Sequence, residues 1–386
     1  MALNDHLSPQ DRESVRHKML ALDGGGIRGI ITLEVLAEME RQLALKTGQG
    51  ADFRLCDFFD YVSGTSTGAI IAAGIARGLS TQELLEIYKK HGEEMFDKTF
   101  LINRLKAFYK GEPLEKLLKK KLGEKATLEP EYLKCLLLIV TKNLTTDSPW
   151  PISSNPNAKF NDLARPDCNL KIPLWQLVRA STAAPVYFPP EVLQWDESDS
   201  DKTFVFVDGG MTPYNNPAFL LYQMATQPVY RLNWQAGEDK MLIVSIGTGN
   251  AAICGPESGD AHRNLFSNIT GIPGGLMYAA SVEQDINCRM IGRCVYGAPI
   301  DRELGDLIPR EENGDKIPLS KNLDKAFLYA RYNAELSRSG LDALGLRDVE
   351  PEQVQKLDSI KHMNDLARIG QAVAKSFSLE HFGAFV

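Results

Sequence analysis

The chain has 386 residues, 44% of them hydrophobic and 24% charged, and its formal net charge is −7. This length provides for a sizeable buried core in one large or two ordinary domains. The acidic balance argues against a nucleic-acid polymer as the main partner, because nucleic-acid binding usually requires a basic face.

Cysteine usage and the apolar runs indicate a soluble protein of a reducing compartment. The polar stretch 1–17 lacks the apolar segment of a signal peptide and predicts a mobile tail. Runs such as CLLLIV are too short to cross a bilayer, so we expect a cytoplasmic protein that touches lipid only peripherally. No C-x-x-C pair and no zinc-ligand spacing occurs, which predicts no metal site. The six cysteines are Cys56, Cys135, Cys168, Cys254, Cys288 and Cys294.

The first part of the chain alternates predicted strands and helices. Apolar runs that end at turn glycines predict strands, and apolar residues at helical spacing predict helices. Gly48 is a suitable helix stop, and Ser80-x-x-Glu83 is a capping box that opens a helix. In order we predict a strand over 17–23, a helix over 31–48, a strand over 57–64, a buried helix over 66–78 and a helix over 80–96.

The rest of the chain continues this alternation and then becomes helical. Strands are predicted over 133–143, 203–210 and 240–249, and helices over 174–182, 215–226, 274–291, 323–338 and 351–377. Such alternation predicts an α/β fold with three layers, in which a mostly parallel central sheet lies between helices. The expected organisation is a tail (1–17), an α/β domain (18–300) and a helical part packed on that domain (301–386).

The first glycine run lies in LDGGGIRG, between a predicted strand and a predicted helix. Gly24, Gly26 and Gly29 match G-x-G-x-x-G, which is typical of dinucleotide-binding oxidoreductases. That alternative requires an acidic residue at the end of a second strand about 20 residues later. Asp52 has this spacing, but the residues before it do not resemble a strand. A P-loop is excluded because no Gly-Lys-Ser/Thr follows the glycines.

The second motif is Gly64-x-Ser66-x-Gly68, again between a buried strand and a buried helix. In a nucleophile elbow, a serine occupies a sharp strand-to-helix turn, and nearby glycines remove side chains that would clash. The amino terminus of the following helix favours negative charge that develops on the serine. This context predicts that Ser66 is a nucleophile.

A serine nucleophile requires a base, and two candidates follow it in the chain. Asp208 ends a predicted buried strand, with Gly209 and Gly210 leaving space around it, at the sheet edge where ligands bind in α/β folds. His262 would complete a triad in the order of α/β-hydrolases, but its surroundings are those of a polar loop. A Ser66–Asp208 dyad fits better, provided that burial raises the pKa of the carboxyl group.

The glycine run then has a second interpretation, which concerns the oxyanion formed when Ser66 attacks an acyl carbonyl. Backbone amides of Gly25 and Gly26 could donate to this anion, with Gly24 shaping the turn. One such donor is typically worth about 10²–10³ in rate. Arg28 either binds a phosphate head group or holds the start of the helix.

Five segments together resemble the patatin-like phospholipase family: LDGGGIRG, GTSTG, ASTAAPVYFPP, DGGMTPYNNPA and SIGTG, across roughly residues 17–300. The resemblance implies a lipid acyl hydrolase that uses no cofactor, with nucleophile Ser66, base Asp208 and an oxyanion hole at residues 24–26. Ala69 stands where many members have glycine. Some bacterial members are activated by a cyclic nucleotide in anti-phage defence, which makes such an activator a candidate partner here. Oligomeric state stays open.

The resemblance also assigns surrounding residues. Segment 180–188 would line the site, Asn215 and Asn216 would steady the turn after Asp208, and Thr65 and Thr67 would contact substrate. Supporting roles are expected for Gly64, Gly68, Gly209 and Gly210.

Segment 95–123 combines aromatic residues with lysines. This composition is typical of an interfacial helix that inserts its apolar side among acyl chains, with lysines near anionic head groups. An ordinary amphipathic helix packed on the core is the alternative. A phospholipid membrane surface is therefore the expected partner.

Overall fold

A computed structural model describes residues 15–96, 113–185, 188–196, 199–250 and 265–386. Its strands are β1 (His17–Leu22), β2 (Tyr61–Thr65), β3 (Leu136–Asn143), β4 (Ser148–Ser153), β5 (Glu191–Gln194), β6 (Thr203–Asp208), β7 (Met241–Ile246), β8 (Arg293–Tyr296) and β9 (Leu328–Tyr332). Its helices are α1 (Gly29–Thr47), α2 (Thr67–Ala76), α3 (Thr81–Phe96), α4 (Pro113–Leu122), α5 (Leu174–Ser181), α6 (Ala218–Thr226), α7 (Leu265–Ile291), α8 (Arg338–Ala343), α9 (Pro351–Val354) and α10 (Met363–Ala374).

The strands form one sheet in the order β5-β6-β3-β2-β1-β7-β9-β8, and β4 also pairs with β3. The pairs from β3 through β2, β1, β7 and β9 to β8 are all parallel. Strands β4 and β6 are antiparallel to β3, and β5 is antiparallel to β6. The mostly parallel sheet that the sequence predicts is therefore confirmed.

Helices cover both faces of this sheet. Successive side chains of a strand point to opposite faces, so the residues of one strand divide between two hydrophobic clusters. In β1, Leu20 and Leu22 belong to one hydrophobic cluster, together with buried residues of α1 to α5 and α10. Met19 and Ala21 belong to a second cluster, together with residues of α6 and α7. The α/β/α arrangement of three layers is thus confirmed.

One predicted helix is wrong, because residues 328–332 within the predicted helix 323–338 form strand β9. All five side chains of β9 are buried, and the strand lies between β7 and β8. Burial on both faces removes the alternation that marks a strand, so a short apolar run cannot be told from a buried helix by its pattern. The part after residue 300 therefore contributes to the sheet, in addition to helices.

Other boundaries also differ from the sequence-based prediction. Strand β2 begins at Tyr61, because Leu55–Asp57 forms a 3₁₀ turn within the stretch before it. The predicted helix over 351–377 consists of α9 and α10 with a break between them. Within the described ranges, no helix is both long enough and apolar enough to span a membrane.

Candidate active site

Ser66 occupies a strained turn between β2 and α2. Its φ and ψ are 56° and −121°, a region that non-glycine residues rarely adopt. A Cβ on Gly64 would strike the backbone of Gly68, and one on Gly68 would strike the carbonyl of Leu22, so both positions need glycine. The Ser66 amide donates to Ser181 Oγ at 3.0 Å, which secures the turn. These contacts are those of a nucleophile elbow.

Asp208 reaches Ser66 along an antiparallel strand. Thr65 of β2 pairs with Val140 of β3, and Asp208 of β6 pairs with the next residue, Thr141. Strand β4 pairs along one edge of β3, over β3 residues 138–143. Strands β2 and β6 therefore both pair along the opposite edge of β3. Asp208 therefore lies at the predicted edge of the sheet, but β6 reaches that edge as an antiparallel strand and not as a parallel one. The carboxylate nevertheless arrives directly beyond the end of β2.

The Ser66 hydroxyl donates a hydrogen bond to Asp208 Oδ2 at 2.6 Å. The other carboxylate oxygen accepts from the Gly210 amide at 2.7 Å, which fixes the carboxylate in place. Burial raises the pKa of Asp208 to about 6, although these two hydrogen bonds oppose the increase. A carboxylate with this pKa is a much better base than an ordinary aspartate, whose pKa is about 3.9.

The glycine loop after β1 lies next to Ser66, on the wall of the same cavity. The Gly24 amide is occupied, because it donates to the Asn215 carbonyl at 3.1 Å. In the part of the chain that the structure describes, the amides of Gly25 and Gly26 have no hydrogen-bond partner, and both residues line the cavity that contains Ser66. Gly26 has a φ of 61°, which favours glycine. Gly25 and Gly26 can therefore donate to an oxyanion, whereas Gly24 shapes the loop.

A predominantly apolar cavity of about 140 Å³ opens above these groups. It lies between the elbow, the segment after α5 and the segment after α9, so it suits an acyl chain or another apolar group next to Ser66. The residues that line it are Gly25, Gly26, Ser66, Ile70, Phe96, Leu114, Thr182, Ala184, Pro185, Phe188, Asp208, Gly210, Met211, Met277 and Leu357.

Three residues predicted to contact substrate are not among the described residues that line this cavity. The Thr65 hydroxyl donates to the Tyr214 carbonyl, and the Thr67 hydroxyl is bonded to the Tyr88 hydroxyl. The Arg28 guanidinium donates to the carbonyls of Gly25 at 3.4 Å and of Gln355 at 3.3 Å. For Arg28 this geometry favours the second of its predicted roles, which is to hold the start of the helix.

The supporting residues have more specific contacts than the motifs suggested. A Cβ on Gly209 would strike the Val140 carbonyl, so β6 can end close to β3 only with glycine there. Asn215 donates from its side chain to Ser281 Oγ and holds the glycine loop through its carbonyl, while Asn216 accepts from the Ala218 amide and the Ser245 hydroxyl. Both asparagines therefore support the site, Asn215 by way of the glycine loop.

Sequence reasoning missed the specific role of Ser181 and the part played by Leu357. Ser181 lies in the ASTAAP motif, and its hydroxyl both accepts from the Ser66 amide and donates to the Val140 carbonyl. The Leu357 carbonyl accepts from the Ile27 amide at 2.9 Å, so the segment after α9 holds the glycine loop from the far end of the chain. No motif marks Leu357, and only the fold reveals it.

Some predictions concern residues outside the described ranges. His262 and Cys254 lie there, as do residues 97–112 of the predicted interfacial segment. In the described residues, no cluster of three or more His, Cys, Asp or Glu side chains could hold a metal ion. The cysteines at 56, 135, 168, 288 and 294 are free thiols.

A serine in a nucleophile elbow, hydrogen-bonded to a buried carboxylate on a three-layer α/β fold, defines a serine acyl hydrolase. Residues 20–222 match the family model described as patatin-like phospholipase. The chain belongs to the patatin-like phospholipase family and is a lipid acyl hydrolase. The family therefore argues against the alternative of a dinucleotide-binding oxidoreductase. That alternative requires an acidic residue at the end of the second strand, whereas β2 ends at Thr65.

Curated relatives include bacterial and plant proteins. A cGAMP-activated phospholipase of Vibrio cholerae serotype O1 is 33% identical over 300 residues, covering 74% of this chain and 80% of that protein. A cGAMP-activated phospholipase of Escherichia coli strain TW11681 is 33% identical over 62% of this chain and 67% of that protein. Patatin-17 of Solanum cardiophyllum is 31% identical, and the match spans 61% of each chain.

Proposed function

We propose that this chain hydrolyses fatty-acyl esters of membrane phospholipids, with Ser66 as nucleophile and Asp208 as base. The observation that carries this proposal is the 2.6 Å hydrogen bond from Ser66 Oγ to Asp208 Oδ2, on the wall of an apolar cavity. No described histidine is needed in this arrangement, because the carboxylate receives the serine proton directly.

The geometry supports a reaction in two stages. Ser66 Oγ attacks the ester carbonyl carbon, and its proton passes to Asp208 Oδ2. The tetrahedral intermediate collapses to an acyl-enzyme, and Asp208 returns the proton to the departing lysophospholipid oxygen. Water then attacks the acyl-enzyme with Asp208 again acting as base, which releases the fatty acid and restores the Ser66 hydroxyl.

The negative charge of both tetrahedral intermediates requires donors near Ser66. Amides of Gly25 and Gly26 line the same cavity and have no other partner in the described chain. Because such donors are fixed before the charge appears, they need no reorganisation during the reaction. We assign the oxyanion hole to these two amides, with Gly24 positioned behind them.

The substrate lies in a bilayer, so the protein must approach a membrane surface peripherally. The cavity borders Phe96 and Leu114, which lie in the sequence on either side of residues 97–112 of segment 95–123. This segment carries lysines and aromatic residues, which suit anionic head groups and acyl chains respectively. In the described part of this segment, Leu114, Leu117, Leu118 and Leu122 are buried in the core, as the alternative of a packed amphipathic helix requires. We therefore propose only residues 97–112 as the membrane contact of a cytoplasmic enzyme.

We further propose that cGAMP activates the enzyme in anti-phage defence. Support comes from the two bacterial relatives described as cGAMP-activated phospholipases, one of which aligns over 74% of this chain.

The decisive experiment is lipid mass spectrometry after incubation with vesicles of mixed bacterial phospholipids, with and without cGAMP. We expect free fatty acid and lysophospholipid from wild type, more strongly with cGAMP, and none from Ser66→Ala. A fluorophosphonate probe should label wild type but not this variant. Equal product from both proteins would refute the assignment of Ser66, and equal rates with and without cGAMP would refute gating alone.

A further inference from the structure

A buried ion pair joins the glycine loop to strand β9. Asp23 directly precedes Gly24, and its two carboxylate oxygens accept from Arg331 at 2.8 and 2.5 Å. The two side chains are 2% and 3% exposed, so the pair is almost completely removed from water. Such a bidentate arrangement fixes the direction of both groups.

The same guanidinium reaches the asparagines that follow Asp208. Arg331 Nη1 donates to Ser245 Oγ at 2.6 Å, and that hydroxyl donates to Asn216 Oδ1 at 3.2 Å. The Asn215 carbonyl in turn holds the Gly24 amide. A single network therefore connects the beginning of the glycine loop with the loop that follows the catalytic carboxylate.

Stability alone is a weak explanation for this pair. Removing two charges from water is expensive, and replacement of buried ion pairs by packed apolar residues is often neutral or stabilising. The position of the pair provides a better explanation, because Asp23 directly precedes the glycine loop 24–26, whose residues Gly25 and Gly26 line the cavity. A displacement of about 1 Å in such a group can reduce a rate by about 10²-fold.

We propose that Arg331 is a positioning residue that holds the oxyanion loop through Asp23. This inference rests on the proposed role of the Gly25 and Gly26 amides. Among the described residues, the hydrogen-bond partners of the Arg331 side chain are Asp23 and Ser245, and neither lines the cavity. Arg331 is therefore expected to act on the transition state and to leave substrate binding in the ground state largely unchanged.

Arg293 provides a matched control. It lies on β8 next to β9, its side chain is 2% exposed, and it forms an ion pair with Glu238 at 2.8 Å. Its other partners are carbonyls of Lys321, Ile317 and Pro318, away from the glycine loop. Arg293→Met therefore removes an equally buried arginine without touching the proposed network.

The test compares Arg331→Met, Arg331→Lys and Arg293→Met with wild type, using a short-chain p-nitrophenyl ester in the presence of cGAMP. We expect kcat of Arg331→Met to fall about 10–100-fold with KM changed less than about threefold. Arg331→Lys should recover part of this loss, because lysine keeps the positive charge but cannot form the bidentate contact with both oxygens of Asp23. Affinity for an aliphatic trifluoromethyl ketone, whose adduct with serine carries an oxyanion, should fall in parallel with kcat/KM.

Thermal unfolding of each variant separates positioning from stability. Arg293→Met should be destabilised and yet keep kcat within about threefold of wild type. The proposal is overturned if Arg331→Met keeps wild-type kcat and ketone affinity, or if Arg293→Met loses as much of both. Should Arg331→Met not fold, Asp23→Asn and Ser245→Ala interrupt the same network, and normal kcat in both would overturn it. Absence of any Ser66-dependent turnover in wild type would instead refute the proposed function.

Discussion

Asp208 pairs with Thr141 of β3, one position beyond the pairing of Val140 with Thr65. Strand register therefore decides the distance between the carboxylate and the serine that follows Thr65. Because β6 is antiparallel to β3 and ends at this level, the side chain of Asp208 is delivered to the elbow without a long loop. The pairing of β2 and β6 with β3 therefore positions both residues of the dyad.

We predict that Ser66→Ala and Asp208→Asn each lower kcat by about 10³-fold or more, because each removes a group that takes part in the transition state. KM should change much less. The measurement is hydrolysis of a p-nitrophenyl ester together with lysophospholipid release from vesicles. Asp60→Asn is a suitable control, because Asp60 is half-buried and binds the Lys18 amide at the opposite end of the sheet. A kcat for Asp208→Asn within tenfold of wild type would contradict the role of base.

The pH dependence of the rate should follow the ionisation of Asp208. Burial raises its pKa to about 6, and only the ionised form can accept the serine proton. We therefore expect kcat/KM to rise with pH, with a midpoint near 6, and to become constant above about 7.5. A midpoint near the ordinary aspartate pKa of about 4 would show that the carboxylate is not buried in the working enzyme.

Sequence patterns predicted the elbow, the glycine loop and the identity of Asp208, because each depends on local glycines and on a single buried strand. They did not predict the direction of β6, since an apolar run has the same appearance in a parallel and an antiparallel strand. Arg331 was missed for a related reason. Its strand is buried on both faces and was interpreted as a helix, so its contact with Asp23, 308 residues away, could not be inferred.

We expect Gly25 to tolerate no side chain because of a steric clash, and not because of backbone strain. A Cβ at this position would collide with the Thr248 side chain, whose hydroxyl binds the Gly24 carbonyl at 2.9 Å. We expect Gly25→Ala to displace the loop and to lower kcat by about 10²-fold, in the range seen when an oxyanion donor is lost. Gly274→Ala is the control, because a Cβ there meets no atom within 4 Å.

A wild-type rate in Gly25→Ala, with Ser66 still labelled by a fluorophosphonate, would exclude the Gly25 amide from the oxyanion hole. A variant that is folded but labels slowly would support it, since phosphonylation also develops negative charge on oxygen.

The buried carboxylate of Asp208 should reduce the stability of the protein at neutral pH. Burial raises its pKa to about 6 in the folded chain, whereas an aspartate in the unfolded chain has the ordinary pKa of about 3.9. Between these values the folded state binds the proton and the unfolded state has released it, so the free energy of unfolding decreases as pH rises. The full penalty, on the order of 3 kcal/mol, is present above about pH 6 and absent below about pH 4.

Asp208→Asn removes this charge and keeps an oxygen that can accept from the Gly210 amide. We subtract the free energy of unfolding of wild type from that of the variant, each measured by urea denaturation at pH 5 and at pH 8. We expect this difference to be larger at pH 8 than at pH 5 by more than about 1 kcal/mol. The exposed Asp52 offers the same acid-to-amide change without burial, and Asp52→Asn should show no such gain. A constant difference between Asp208→Asn and wild type at the two pH values would mean that the folded protein does not raise the pKa of Asp208, which would also remove the physical basis for its action as a base.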